Sequence, residues 1–191
     1  MMSRIAILGW GSLLWDVGQE FDQWHEPWDY DGPSLKLEFS RVSNSRSKAL
    51  TLVIDSEHGL RCSVAWCLSK RNDPQDAVCD LRSREGTTLQ HIGRVFLQHP
   101  EADRFRDGQS HQVIVAWAKS KQLDIVLWTD LQNNFQENVG SPFSIQAALT
   151  HIKALPPEGK LKAAEYVWRA PDFIRTPLRE ALQREPWFSE P

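Results

Sequence analysis

Apolar residues recur along this chain in short runs and stripes, and their spacing predicts most of its elements. Residues 4–8 form an apolar run that stops at Gly9-Trp10-Gly11-Ser12, which reads as a first strand ending in a tight turn. Residues 34–39 alternate: Leu35, Leu37 and Phe39 point one way, Lys36 and Glu38 the other, the pattern of a half-buried strand. Residues 49–54 and 60–68 read as two further strands, and the turn-forming residues 55–59 between them predict a hairpin. Residues 111–118 and 123–128 read as two more strands joined by a polar turn.

Helical signals are of a different kind. Asp73 suits an N-cap and Pro74 the first helical position, where a missing N–H costs nothing. Ala77, Leu81 and Glu85 then fall four apart on one face, with Val78 beside them, and Gly86 supplies a stop. Ile145, Ala148, Leu149 and Ile152 make a second stripe, broken by Pro156-Pro157-Glu158-Gly159. Thr176-Pro177 repeats the cap-plus-proline start for a last helix reaching about Arg184. Residues 15–33, dense in Trp, Pro and acidic side chains, read as an ordered loop clamped by aromatics. No repeat, low-complexity tract or linker divides the chain.

This mixture predicts an α+β fold. At 191 residues the chain fits one domain, with residues 131–191 as a helical C-terminal appendage. A net charge of −3 without any dense Lys/Arg block argues against a nucleic-acid partner. No apolar stretch is long enough to span a bilayer, so no membrane role is expected. The N-terminal apolar run passes directly into Gly-Trp-Gly rather than a cleavage site, which favours a strand over a leader peptide. Cys62, Cys67 and Cys79 form no CxxC pair, and their odd number points to free thiols in a reducing, cytoplasmic setting. Oligomeric state is not legible.

Three features carry candidate chemistry. The Gly9-Trp10-Gly11-Ser12-Leu13-Leu14 turn follows a strand directly, so its backbone N–H groups are placed to meet a ligand. It lacks the third glycine of a dinucleotide fingerprint, the Lys of a phosphate loop and the Gly-x-Ser-x-Gly of a nucleophile elbow. Glu85 continues an otherwise apolar helical face, where partial desolvation would suit a general base. The competing readings are an exposed Glu at a frayed helix end, or one paired with Arg82 or Arg84. Ser43 and Arg46, in the polar turn after residue 42, fit either a carboxylate-binding role or plain turn capping. The histidines at 25, 58, 91, 99, 111 and 151 show no metal-binding spacing, and Cys62 and Cys67, of opposite parity on one expected strand, read as inert core thiols.

In this order, the features resemble the γ-glutamylcyclotransferases, especially the ChaC type. Gly-Trp-Gly-Ser-Leu-Leu-Trp, residues 9–15, is similar to the family's loop signature. Phe39-Ser40-Arg41-Val42-Ser43, followed by Leu50-Thr51-Leu52-Val53, is similar to its next strands, and Leu81-Arg82-Ser83-Arg84-Glu85 resembles the helix end that carries its catalytic Glu. The likeness covers roughly residues 4–130, with a faint echo at Ala164-Glu165-Tyr166. Trp10 stands where the family has Tyr, Ser63 stands at an expected hairpin glycine, and residues 15–33 match nothing in it.

The resemblance implies a mixed, partly closed β-barrel with flanking helices, and an enzyme that needs neither metal nor cofactor. Its substrate would be a small γ-glutamyl amide or peptide, with glutathione among the candidates, cyclised to release 5-oxoproline and an amine or amino acid. Glu85 would be the general acid/base. Backbone groups of Gly11, Ser12 and Leu13 would hold the substrate, with Trp10 and Trp15 walling the cavity and Ser43 and Arg46 adding contacts. The alternative, from another functional class, is a non-catalytic binding module for a small metabolite or a partner on the same fold.

Overall fold

The computed structural model describes residues 3–17 and 20–191. In chain order the elements are β1 (Ile5–Gly9), β2 (Ser34–Val42), β3 (Leu50–Ile54), β4 (Leu60–Ser63), β5 (Ala65–Leu68), α1 (Pro74–Glu85), β6 (Ile92–Phe96), α2 (Gly108–Ser120), β7 (Ile125–Thr129), α3 (Phe135–Val139), α4 (Ile145–Ala154), α5 (Pro157–Arg169) and α6 (Pro177–Gln183), with short 3-10 turns between them. The protein is therefore α+β. It divides into two compact units that alternate along the sequence: residues up to 35 with 63–131, and residues 36–62 with 132–191.

The first unit is built on a four-stranded mixed sheet ordered β5-β1-β7-β6. β1 is central. It runs parallel to β7, with Ile7 opposite Leu127, and antiparallel to β5, with Leu8 opposite Trp66. All five of its residues are buried, the expected state of a strand covered on both faces. Ile5 and Ile7 join Leu127, Ile92 and Cys67 in one apolar cluster with Ala77, Val78 and Leu81 of α1. The aromatic segment before β2 is tied along β5 by backbone bonds, Asp29 N–H to Trp66 O at 2.7 Å and the return bond at 2.8 Å. Asp31 fastens it further by accepting from the Trp66 indole at 2.7 Å and from Lys121 at 2.6 Å. Gly18 and Gln19, within the predicted loop, lie outside the described residues.

The second unit has a three-stranded sheet ordered β3-β2-β4. β2 and β3 are antiparallel, and a bulge between Glu38 and Arg41 breaks their register. α5 packs on β3, and α4 packs on α5 and α6. α6 begins as the sequence predicts: Thr176 caps it, its hydroxyl accepting the Arg179 N–H at 3.2 Å, with Pro177 in the first turn.

Four expectations are corrected. Residues 111–118 belong to helix α2, not a strand. Asp107 caps it by accepting the Ser110 N–H at 2.7 Å, and the buried positions Ser110, Ile114 and Ala118 are four apart, so a helical period overrides the β-branched run at 113–115. Residues 49–54 and 60–68 do not form a hairpin, because β2 lies between β3 and β4. The expected strand at 60–68 is two strands in different sheets. Val64 separates them, donating to Pro33 O at 3.1 Å and accepting from Gly32 N at 3.0 Å. Cys62 and Cys67 thus lie in different sheets, both buried. Lastly, β2 is not half-buried at Glu38, whose side chain is 0% exposed.

One strand, β6, had no clear sequence signal. Gly93 and Arg94 interrupt its apolar run, yet the glycine is required there. A Cβ at residue 93 would lie 2.1 Å from the Trp128 ring on the neighbouring strand.

Candidate active site

α1 is positioned by its ends and by one face. Asp73 accepts the Gln75 N–H at 2.8 Å, and Gly86 closes the helix in the left-handed region at φ 58°. Ala77, Val78 and Leu81 are fully buried. The next turn on that face ends at Glu85, whose side chain is 20% exposed, so the carboxylate sits at the margin of the core rather than inside it.

The loop after β1 is equally constrained. A side chain at residue 9 would come within 3.0 Å of Leu14 and of the Trp28 ring, so a glycine lets the chain turn there. Residues Ser12–Leu14 form a single 3-10 turn, with Leu14 N–H bonded to Gly11 O at 3.0 Å and Asp16 N–H to Ser12 O at 2.9 Å. Trp10 and Leu13 point into the core, while Ser12 is half-buried. The side chains of Trp10 and Leu13 serve as packing, which leaves only their backbone groups to meet a ligand. The first N–H groups of so short a turn have no acceptor within it.

Arg84 joins these two features. Its side chain is 8% exposed, and Nη2 donates to Ser12 O at 3.0 Å and to Asp16 O at 3.1 Å. Nη1 lies 3.7 Å from Glu85 Oε1, and Nη2 lies 3.8 Å from Asp16 Oδ2. The loop and the catalytic candidate thus meet on one guanidinium inside the first unit. Sequence reasoning named Arg84 only as a competing partner for Glu85. The available signal was a cation in the last turn of a helix, where it complements the helix dipole and stays close to its end.

Ser43 and Arg46 belong to the second unit. They build the connection from β2 to β3: Ser43 N–H donates to Ala49 O at 2.9 Å and Lys48 N–H to Ser43 O at 2.9 Å. Ser47 and Lys48 take positive φ of 51° and 68° to close that turn. The Arg46 guanidinium lies 5.0 Å over the Tyr166 ring. Both residues have a structural task in this turn.

The second unit holds a further polar group that the sequence did not announce. Asp55 is buried and accepts from the Ser40 hydroxyl at 2.7 Å, the Asn133 amide at 3.0 Å and the His58 N–H at 3.0 Å, with the His58 ring at 3.2 Å. Burial pushes its carboxyl upward, but the hydrogen bonds outweigh burial and hold it below the ordinary carboxylate value. This pattern closes the turn at residues 55–59. Among the described residues no group of three or more His, Cys, Asp or Glu is arranged to hold a metal ion, and no helix is long and apolar enough to cross a membrane.

No protein-family model, curated protein or solved structure matches the chain.

Proposed function

We propose that the protein is a γ-glutamylcyclotransferase-like enzyme that cyclises a small γ-glutamyl amide or peptide, without metal or cofactor, in the cytoplasm. The observation that carries the reading is the Arg84 guanidinium, which holds the end of α1 bearing Glu85 against the Ser12–Asp16 turn. The reading includes closure of the strands into a partial barrel around the substrate.

The chemistry asks little of the protein beyond a base, an anion grip and a confined shape. Glu85 takes a proton from the substrate's α-ammonium. The freed amine attacks the γ-carbonyl carbon, and the developing oxyanion or the α-carboxylate is held by backbone N–H groups of Gly11, Ser12 and Leu13. As the γ-carbon–nitrogen bond breaks, Glu85 returns that proton to the leaving nitrogen, and the second proton of the ring nitrogen leaves through Glu85 to the departing amine or to solvent. The products are 5-oxoproline and an amine or amino acid. Because nucleophile and electrophile belong to one molecule, folding the substrate over itself supplies much of the acceleration. Trp15 borders the turn, and in this reading it keeps water from competing with the amine, whereas the Trp10 side chain is taken up by the core. Ser43 and Arg46, occupied in their own turn, carry no step.

The test is release of 5-oxoproline from glutathione and a panel of γ-glutamyl amines by the purified protein, with Glu85→Gln alongside. Wild-type product with a loss of about 100-fold or more in the variant supports the reaction and the base together. Product at undiminished rate in Glu85→Gln removes Glu85 from the mechanism. No product from any substrate by folded protein favours a non-catalytic binding module.

A further inference from the structure

The peptide unit between Ser12 and Leu13 is planar, so the direction of the Ser12 carbonyl fixes the direction of the Leu13 N–H, which points the opposite way. That carbonyl is heavily engaged. It accepts the Asp16 N–H at 2.9 Å, the Trp15 N–H at 3.3 Å and Arg84 Nη2 at 3.0 Å. The same nitrogen of Arg84 also holds Asp16 O at 3.1 Å, so one charged group clasps both ends of the turn. Hydrogen bonds to a charged donor are among the stronger ones in proteins, and this donor is nine-tenths buried. Arg84 Nε is buried with no hydrogen-bond partner among the described residues, so the side chain is held through the far end of its fork.

Turning over this peptide would aim the Ser12 carbonyl oxygen where the Leu13 N–H now points. It would break the bonds to Arg84, Asp16 and Trp15 together. The other side of the guanidinium faces Glu85, with Nη1 3.7 Å from Oε1.

We propose that Arg84 is the positioning residue of this site: it locks the Ser12–Leu13 peptide, and with it the direction of the Leu13 N–H, and holds the end of α1 that bears Glu85 beside the turn. The proposal rests on the cyclotransferase reading for its catalytic meaning, but its structural half stands on the geometry alone. Arg84 touches no reacting atom. Its effect passes through the peptide plane on one side and the carboxylate on the other.

Two substitutions separate these effects. Arg84→Met keeps the length of the side chain and removes both charge and donors. Arg84→Lys keeps the charge near Glu85 and gives up the planar fork, which a single ammonium does not replace. Hydrogen exchange measured residue by residue reads the turn without any substrate: in Arg84→Met the Trp15 and Asp16 amides are expected to exchange about tenfold faster than in the wild type, with β1 amides unchanged.

With an active wild type, Arg84→Met is expected to lower kcat by about 10- to 100-fold with a smaller change in KM. Arg84→Lys is expected to lose kcat as well, by less than Arg84→Met. An active wild type whose Met and Lys variants keep kcat overturns the proposal while leaving the cyclotransferase reading intact. A wild type that releases no 5-oxoproline ends the catalytic part of both. In that case the exchange data still decide the structural half, which unchanged Trp15 and Asp16 protection overturns.

Discussion

The buried carboxylate of Glu38 accepts the backbone N–H of Leu178 at 3.2 Å, a bond that spans the second unit from β2 to the start of α6. Its other oxygen accepts the Phe39 N–H at 2.7 Å, and the Thr176 hydroxyl bonds to it as well. Burial nevertheless dominates and raises its pKa from 4.5 to about 7. Between those values the folded chain keeps a proton that the unfolded chain has released. Stability is therefore highest below pH 4.5 for this group, falls as pH rises through the window from 4.5 to about 7, and is level above it. The full drop amounts to about 3 kcal/mol. Urea midpoints measured from pH 5 to pH 8 should fall more steeply in the wild type than in Glu38→Gln. Parallel slopes would show that Glu38 does not titrate in this range.

Thr176 serves two partners at once, the Arg179 N–H and the Glu38 carboxyl. Thr176→Ala should cost about 1–2 kcal/mol, and Thr176→Ser, which keeps the hydroxyl, less than half of that. Chemical denaturation at pH 6 distinguishes the two. Equal losses would assign the effect to the missing methyl.

Gly93 faces the Trp128 ring with no room for a methyl group, the nearest ring atoms being 2.1, 2.4 and 2.5 Å from an added Cβ. Trp128 is itself fully buried, so it has little freedom to withdraw. Gly93→Ala is expected to destabilise the protein by about 1–3 kcal/mol or more through overpacking. A urea midpoint within error of the wild type would mean that β6 and β7 separate cheaply.

The thiols should differ in reactivity. Burial raises the pKa of Cys67 far above the ordinary value, and raises that of Cys62, which donates to Arg175 O at 3.3 Å. Cys79, on α1, is half-buried. Native protein treated with iodoacetamide should take up one label, found at Cys79 by mass spectrometry, and further labels only in denaturant. Labelling of Cys67 at the rate of Cys79 would mean that β5 leaves the sheet in the native state.

Where the sequence was readable, local chemistry set the outcome. Asp73-Pro74, Thr176-Pro177 and Gly86 act within a few residues of themselves, and each marks an end of the helix it predicts. Misreadings arose where distant residues decide. The 113–115 run is β-branched, yet the cap at Asp107 and burial at four-residue intervals make it helical. Glu38 has the parity of a solvent-facing residue, but the start of α6 covers it. The site shows the same division. Glu85 and the 10–13 loop are visible as motifs, whereas the link between them is a guanidinium whose acceptors lie 72 and 68 residues earlier. Spacing within one element gives no access to such a bond.

Three crossings of the chain between units bear on synthesis. β2, β3 and β4 all precede α1, but the helices that complete their unit begin only at Phe135. On a chain made from its N-terminus, Glu38 emerges 140 residues before Leu178, whose N–H it accepts in the folded unit. The first unit has no such wait beyond Leu131. The nascent chain thus passes through a stage in which one body has all its residues while the other is a fragment. Residues 132–191 are what that fragment lacks, and partly folded bodies in general expose apolar surface to neighbouring chains.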